Sequence, residues 1–280
     1  MYLEYWGLKK KPFENTPNPD FFYYSAAHEE ALTRLLYGVK EKKGAVMVTG
    51  EIGAGKTILS RMLVRILLRE GKSYNIAVIV NPALTVDQLL REMIYQFARL
   101  ESFDDISPMT NKLDLLHQLE NVVFSSGENG QHCVLIIDEA HVVKNREIFE
   151  ELRLLLNLQK NDAFLLTLVL LGQPELGQKI RQYEPLAQRI AIRYHLTGLS
   201  HEEVGKYIDY RLKAAGGNKE IFDGSAIEEI YRASGGIPRI INNVCDLSLL
   251  MGFSNKMELV DETIIRAVVE DLNLAARYVK

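Results

Sequence analysis

The octapeptide GEIGAGKT, residues 50–57, spaces its glycines, lysine and threonine as G-x-x-x-x-G-K-[ST]. Glycines at those positions let consecutive backbone N–H groups turn inward around phosphate oxygens, and a helix opening at the lysine adds the positive end of its dipole. In that chemistry Lys56 reaches the β- and γ-phosphates, and Thr57 offers its hydroxyl to Mg²⁺. The backbone in contact with phosphate then runs through Gly50, Glu51, Ile52, Gly53, Ala54, Gly55, Lys56, Thr57 and Ile58. A second group ends the apolar run VLIIDEAH, residues 134–141. Asp138 is suited to hold Mg²⁺ through its water shell, and Glu139 to polarise an attacking water. A second acid fits hydrolysis, whereas a kinase has no water to activate. The spelling DEAH is shared with helicases, but a helicase needs a second lobe with its own arginine-bearing motifs, and the chain beyond residue 200 reads as helices only. His141 is read as a neighbour of the site rather than a participant.

Three further polar residues fall where a triphosphate could be read. Gln173 closes the apolar run in LLGQPEL (170–176). Strand C-termini of a parallel sheet line the ligand crevice, so its amide could orient water or touch a γ-phosphate. The alternative is a glutamine that caps the helix begun by Pro174. Arg239, in GGIPRIIN (235–242), follows a proline at a first helical position. A cation in a first turn is disfavoured by the helix dipole unless an anion faces it. The permanent charge and forked donors of arginine suit phosphate oxygens. Arg189 lies just ahead of an apolar strand in LAQRIAIRYHL (186–196), and Arg193 lies within it. An arginine there could reach the nucleotide of a neighbouring subunit, as fingers supplied in trans do. Arg189 is the first candidate for that role, Arg181 and Arg193 are rivals, and a local ion pair is the other reading.

These residues need a scaffold of alternating strands and helices, and the sequence supplies one. Strands are expected at 45–49, 76–80, 133–138, 164–172 and 190–196. Helices are expected over 56–70, over 85–100 behind the cap pair Thr85 and Gln88, over 111–125 and over about 146–159. Fully apolar strands between helices argue for a parallel sheet covered on both faces. A strand and three helical segments separate the glycine loop from the acid pair, so a further strand should lie between their two strands in the sheet. From Ser200 the character changes. A capping box at Ser200 and Glu203 opens a helix that ends near Gly216–Gly217, and further helices fit 225–234, 238–252 and 261–273.

Bulk properties are those of an ordinary globular chain. The 280 residues are 47% hydrophobic and 25% charged with a net charge of −4, so nothing general points to a nucleic-acid partner. The clusters LKKK (8–11) and KEKK (40–43) read as solvated loops and helix ends. Cys133 and Cys245 lie in separate apolar runs with no metal-ligand spacing, which fits buried reduced thiols. The first residues carry no signal-peptide pattern, and the longest apolar run, AFLLTLVLLG (163–172), is too short to span a bilayer. A cytoplasmic protein, peripheral to the inner membrane through partners, is the expectation.

Taken together, the motifs resemble those of an AAA+ ATPase. GEIGAGKT and VLIIDEAH resemble Walker A and Walker B, Gln173 stands at the sensor 1 position, and GGIPR resembles the G-x-P-R of sensor 2. Residues 5–39 are similar to the start of the ExeA/GspA family of secretion ATPases. The G-L-x-x-x-P-F element stands as Gly7, Leu8, Pro12 and Phe13, and the P-x-P-x-x-x-Y element as Pro17, Pro19 and Phe22–Tyr23. The helix H-x-E-A-L-x-x-L-x-Y-G stands as His28, Glu30, Ala31, Leu32, Leu35, Tyr37 and Gly38.

The resemblance implies an α/β P-loop fold: a parallel five-stranded sheet with helices on both faces, plus a small C-terminal all-helical lid. It implies an N-terminal arm and helix (1–44) packing on the ATPase core, an ATPase domain (45–198) and a lid (199–280). ATP and Mg²⁺ are the implied cofactors, and the partners are other copies in a homo-oligomer and secretion or export machinery at the inner membrane. The family's name-giving member carries a membrane span and a peptidoglycan-binding domain after its ATPase domain; neither is expected in these 280 residues. The aromatics of PNPDFFYY (17–24) fold across the adenine side in this family, while the residues themselves fit equally a role in pinning the arm to the core. Two functions remain in view: an assembly or regulatory ATPase of a type II secretion, type IV pilus-like or exopolysaccharide export machine, and a DNA-linked ATPase of the transposition-regulator type. The second calls for a basic surface, and from 199 to 280 acids outnumber bases.

Overall fold

Apolar runs flanked by helices form parallel strands because both of their faces can then be buried. In the computed structural model, which describes residues 1–71, 73–106, 111–160 and 162–278, the strands are β1 (Ala45–Gly50), β2 (Tyr74–Ile79), β3 (His132–Ile137), β4 (Gln159–Lys160), β5 (Ala163–Phe164), β6 (Leu166–Gly172) and β7 (Ile190–Leu196). Five of them make one parallel sheet in the order β2-β3-β6-β1-β7. The intervening strand between the loop strand β1 and the acid strand β3 is therefore β6. β4 and β5 form a small antiparallel hairpin. The helix expected over 146–159 ends at Leu155, and the hairpin begins where its last turn was expected.

The helices are α1 (Tyr2–Tyr5), α2 (Ala26–Lys40), α3 (Lys56–Arg69), α4 (Val86–Phe97), α5 (Lys112–Glu128), α6 (Arg146–Leu155), α7 (Pro174–Arg181), α8 (Glu184–Ala187), α9 (His201–Ala214), α10 (Gly224–Ser234), α11 (Pro238–Ser254) and α12 (Glu262–Tyr278). α4 opens with the capping box Thr85–Gln88 read from the sequence.

The chain divides into two compact units. One comprises Glu30–Gly50 and Leu59–Leu196 and contains the sheet. On one face Met47, Leu135, Ile137, Leu168 and Leu170 pack with α4, α5, α6 and α7 in a continuous core. The opposite face includes Val46, which α2 approaches so closely that a Cβ on Gly38 would lie 2.2 Å from its Cγ2. β1, β3 and β6 are buried along their whole length. Cys133 lies among them as a free thiol whose pKa burial pushes up to about 11.

The other unit comprises Met1–Glu29, Glu51–Ile58 and Thr197–Lys280. Its boundaries differ from the division at 44 and 198. The first 29 residues pack with the C-terminal helices, because Trp6, Leu8, Phe13 and Phe21 share one core with Val204, Ile208, Ile241 and Leu249. Arg211, buried on α9, fastens this arm. Its guanidinium donates to the carbonyls of Pro12 (2.6 Å) and Glu14 (3.0 Å) and to the Tyr207 hydroxyl (2.8 Å). Two of the four aromatics of 17–24 are part of the same packing. Phe21 is in the core, and the Tyr23 ring meets those of Tyr207 and Tyr210. Cys245 is also here, free and fully buried, its thiol pKa raised by desolvation. Among the described residues no helix is long and apolar enough to cross a membrane.

Candidate nucleotide site

The glycine loop follows the last residue of β1 and runs into the first turn of α3. Gly53 (φ 81°) and Gly55 (φ 105°) take left-handed conformations that side chains rarely adopt. Neighbours in the same unit crowd both. A Cβ on Gly53 would lie 2.5 Å from the Cβ of Arg239, and one on Gly55 would lie 2.6 Å from Nε2 of His28. The carbonyl of Gly53 accepts the backbone N–H of Arg239 at 3.3 Å. Glu51 and Ile52 at the loop's front are exposed, and Ala54 is buried. The carbonyl of Glu51 accepts the Ala54 N–H at 3.1 Å and the Lys56 ammonium at 2.9 Å. Lys56 is thus buried and held on the loop itself. Thr57 and Ile58, the next two residues of α3, are partly buried.

Sequence reasoning assigned His28 only to a family element and missed what it touches. Its Nε2 lies 3.0 Å from the carbonyl of Ala54, and its Nδ1 lies 2.6 Å from Oγ of Ser25. A carbonyl only accepts, so Nε2 carries the proton and donates. Burial holds the ring's pKa below the usual imidazole value, outweighing the Ala54 carbonyl and the charge of Glu203. The neutral ring leaves Nδ1 bare to accept the Ser25 hydroxyl, while Ser25 Oγ also accepts the His28 N–H as a helix cap. Glu203 ties the same corner together, because its carboxylate accepts the N–H groups of Ser200 and Ala26, each at 2.9 Å. Arg239 stands in the first turn of α11, whose Ile237 cap provides no side-chain acceptor; Gly53 provides a backbone one. Its own side chain is exposed.

The acids lie in the sheet unit. Asp138 follows β3, is 1% exposed, and accepts the Glu139 N–H on Oδ1 at 2.9 Å. Glu139 is left-handed at φ 51°, ψ 32°, a conformation that costs a non-glycine residue about 1 kcal/mol or more. Such strain in a residue next to a strand end is characteristic of functional turns. Gln173 follows β6, where Gly172 is in register with Thr49 of β1. Gly50, Asp138 and Gln173 therefore share the C-terminal edge of the sheet. Gln173 makes no side-chain cap to α7, so the capping alternative is not realised.

His141, read as a neighbour of the site, lies against both Glu139 and Gln173. Its Nδ1 lies 3.4 Å from Glu139 Oε2 and 3.4 Å from the backbone N of Gln173. One nitrogen cannot serve both, since a bare Nδ1 accepts from Gln173 and a protonated one donates to Glu139. Lys179 holds the backbone here by donating to the carbonyls of His141 and Val143.

Arg189 lies at the opposite edge. Ile190 pairs with Ala45 at the start of β1, so about 20 Å of strand separates Arg189 from the level of Gly50. Its guanidinium donates to Asn157 Oδ1 at 3.0 Å, and that of Arg193 to the Ala187 carbonyl at 2.6 Å. Arg181 closes α7.

A sequence model of the AAA domain matches residues 39–180. Over 259 residues the chain is 41% identical to general secretion pathway protein A of Aeromonas hydrophila, an alignment that covers 91% of this chain and 45% of that protein. The chain thus spans a little under half the length of that relative. Among solved structures, the Aeropyrum pernix ORC2 protein aligns with a TM-score of 0.67 at 15% identity, covering 94% of this chain and 71% of that one. The Thermotoga maritima RuvB Holliday junction branch migration motor aligns with a TM-score of 0.61 at 21% identity, covering 94% and 74%. At such identities the likeness concerns the fold alone, and that fold is the P-loop AAA+ architecture of a five-stranded parallel sheet with a C-terminal helical part. The chain belongs to the AAA domain family, as an AAA+ ATPase related to general secretion pathway protein A.

Proposed function

We propose that the chain binds ATP with Mg²⁺ and hydrolyses it. The observation that carries this reading is the sheet order: a complete glycine loop follows β1, and the acid pair follows β3, with β6 between them and Gln173 just after it. In this reading residues 45–198 do the chemistry and 199–280 act as the lid. The loop N–H groups from Gly50 to Ile58 bind phosphate, and Lys56 exchanges the Glu51 carbonyl for β- and γ-phosphate oxygens. Glu139 takes up a proton from the attacking water. Gln173 orients that water or touches the γ-phosphate, and Arg239 supplies positive charge to the phosphates. Arg189, too far along its own strand to act on its own loop, serves the nucleotide of an adjacent copy in a homo-oligomer.

The donor set suits the metal. Among the described residues no three histidine, cysteine or acidic side chains cluster as a resident metal site. Hard oxygens on Thr57 and Asp138 fit Mg²⁺ carried in by the nucleotide, where it would neutralise charge on the phosphate oxygens.

The relative at 41% identity supports a role beside secretion machinery. We infer that turnover changes lid and subunit angles, and that this motion acts on proteins that assemble or regulate a type II secretion, pilus-like or polysaccharide export machine. The chain would work in the cytoplasm, peripheral to the inner membrane through those partners. The test is Glu139→Gln, measured for ATP affinity and for phosphate release. Retained affinity with turnover lost is the expected result; unchanged turnover would remove Glu139 from its role.

A further inference from the structure

We propose that His28 is a positioning residue for the phosphate loop, acting through the Ala54–Gly55 peptide. The inference rests on the nucleotide reading above and names what fixes that site's donors. A trans peptide is planar, so its C=O and the following N–H point in opposite directions. The His28 Nε2–H holds the Ala54 carbonyl at 3.0 Å. The Gly55 N–H, on the same peptide, is thereby fixed facing away from His28. In a loop that binds phosphate through its N–H groups, a peptide turned the other way would present an oxygen to an anion, which repels it.

Four observations make this a built contact. His28 is 4% exposed and Ser25 1% exposed, so neither exchanges its partner for water. The Ser25 hydroxyl at 2.6 Å occupies Nδ1 and leaves the ring's single proton on Nε2, where the carbonyl needs it. Gly55 approaches the ring so closely that a Cβ would sit 2.6 Å from Nε2. The Phe22 ring, edge-on at 5.7 Å, closes one side of the imidazole. His28 touches no phosphate itself; its effect on a nucleotide passes through the peptide it orients.

The two amide substitutions separate this role from general packing. In His28→Gln the amide nitrogen reaches about as far as Nε2 and can still donate to Ala54. In His28→Asn it reaches about as far as Nδ1 and can satisfy Ser25 only. ADP affinity is measured by calorimetry on the full chain, with the melting temperature of each variant recorded without nucleotide. We expect His28→Gln to stay within threefold of wild type and His28→Asn to lose tenfold or more. Ser25→Ala, which frees the tautomer, should lose a smaller factor of three to ten and is the second arm should His28→Asn melt below the assay temperature. Wild-type binding with His28→Asn or Ser25→Ala at wild-type affinity would overturn the role of His28 alone. An equal loss in the Gln and Asn variants would also overturn it, since packing and not the donor would then matter. Absence of ADP binding by the wild type would instead tell against the nucleotide site as a whole.

Discussion

The backbone N–H of Arg239 donates to the carbonyl of Gly53 at 3.3 Å, so the first turn of α11 is seated on the glycine loop. Helix starts leave N–H groups without intrahelical partners, and here a loop carbonyl satisfies one. Any change in the loop's path at Gly53 is therefore felt by the residue proposed to reach the phosphates.

Gly53→Ala follows directly. The added methyl would lie 2.5 Å from the Cβ of Arg239, on a backbone at φ 81°. A Cβ so near its own helix cannot swing aside as a side-chain tip can. The expected result is a loss of about 1–3 kcal/mol in stability, by strain at a left-handed position, together with weaker ATP binding. Thermal melting and nucleotide titration check both.

Arg239→Ala should separate chemistry from stability. The side chain is exposed, so the melting temperature should move by no more than about 0.5 kcal/mol allows. Turnover should fall at least about tenfold, as for loss of a charge that assists phosphoryl transfer. Arg239→Lys should recover little, because the forked donor pair is lost. Wild-type phosphate release from the Ala variant would exclude the role.

For Arg189 the decisive measurement is complementation. Arg189→Ala subunits should be inactive alone and regain turnover when mixed with Lys56→Ala subunits, which bring an intact finger to the neighbour's loop. Lack of recovery across mixing ratios would rule out action between subunits.

His141→Ala removes whichever contact Nδ1 makes, as acceptor of the Gln173 N–H or as donor to Glu139. We expect kcat to fall by about tenfold with KM for ATP nearly unchanged, the signature of an interaction felt in the reaction rather than in binding. Steady-state kinetics over a range of ATP concentrations gives the split.

Acid should weaken the fold through His132. Desolvation, aided by the Lys42 charge, lowers its pKa from 6.5 to about 4, and its Nε2 lies 2.8 Å from Thr167 Oγ1. The folded pKa is below the unfolded one, so the unfolded chain binds more protons between those values and stability falls as pH drops from 6.5 towards 4. Full protonation would cost on the order of 3 kcal/mol. Urea midpoints of wild type and His132→Gln, compared at pH 7 and pH 5, should show a smaller pH-dependent loss in the variant.

The sequence by itself determined most of the strands and helices and the residue pattern of the motifs. The spacing from Gly50 to Thr57, the acids at 138 and 139 and the apolar runs that become β1, β3 and β6 are local patterns, each set by residues within about a dozen positions of one another. That one strand lies between those of the two motifs followed from how much chain separates them; the full order came with the fold. Only the tertiary structure decided that His28 clasps Ala54, 26 residues away, that Arg211 pins carbonyls 197 and 199 positions distant, and that one nitrogen of His141 is contested by Glu139 and Gln173. It also decided that the N-terminal arm packs with the C-terminal helices. Such contacts leave no period in the sequence, because a hydrogen bond depends on where the backbone has already been carried by the packing of apolar faces, and the residue types it joins are common everywhere in the chain.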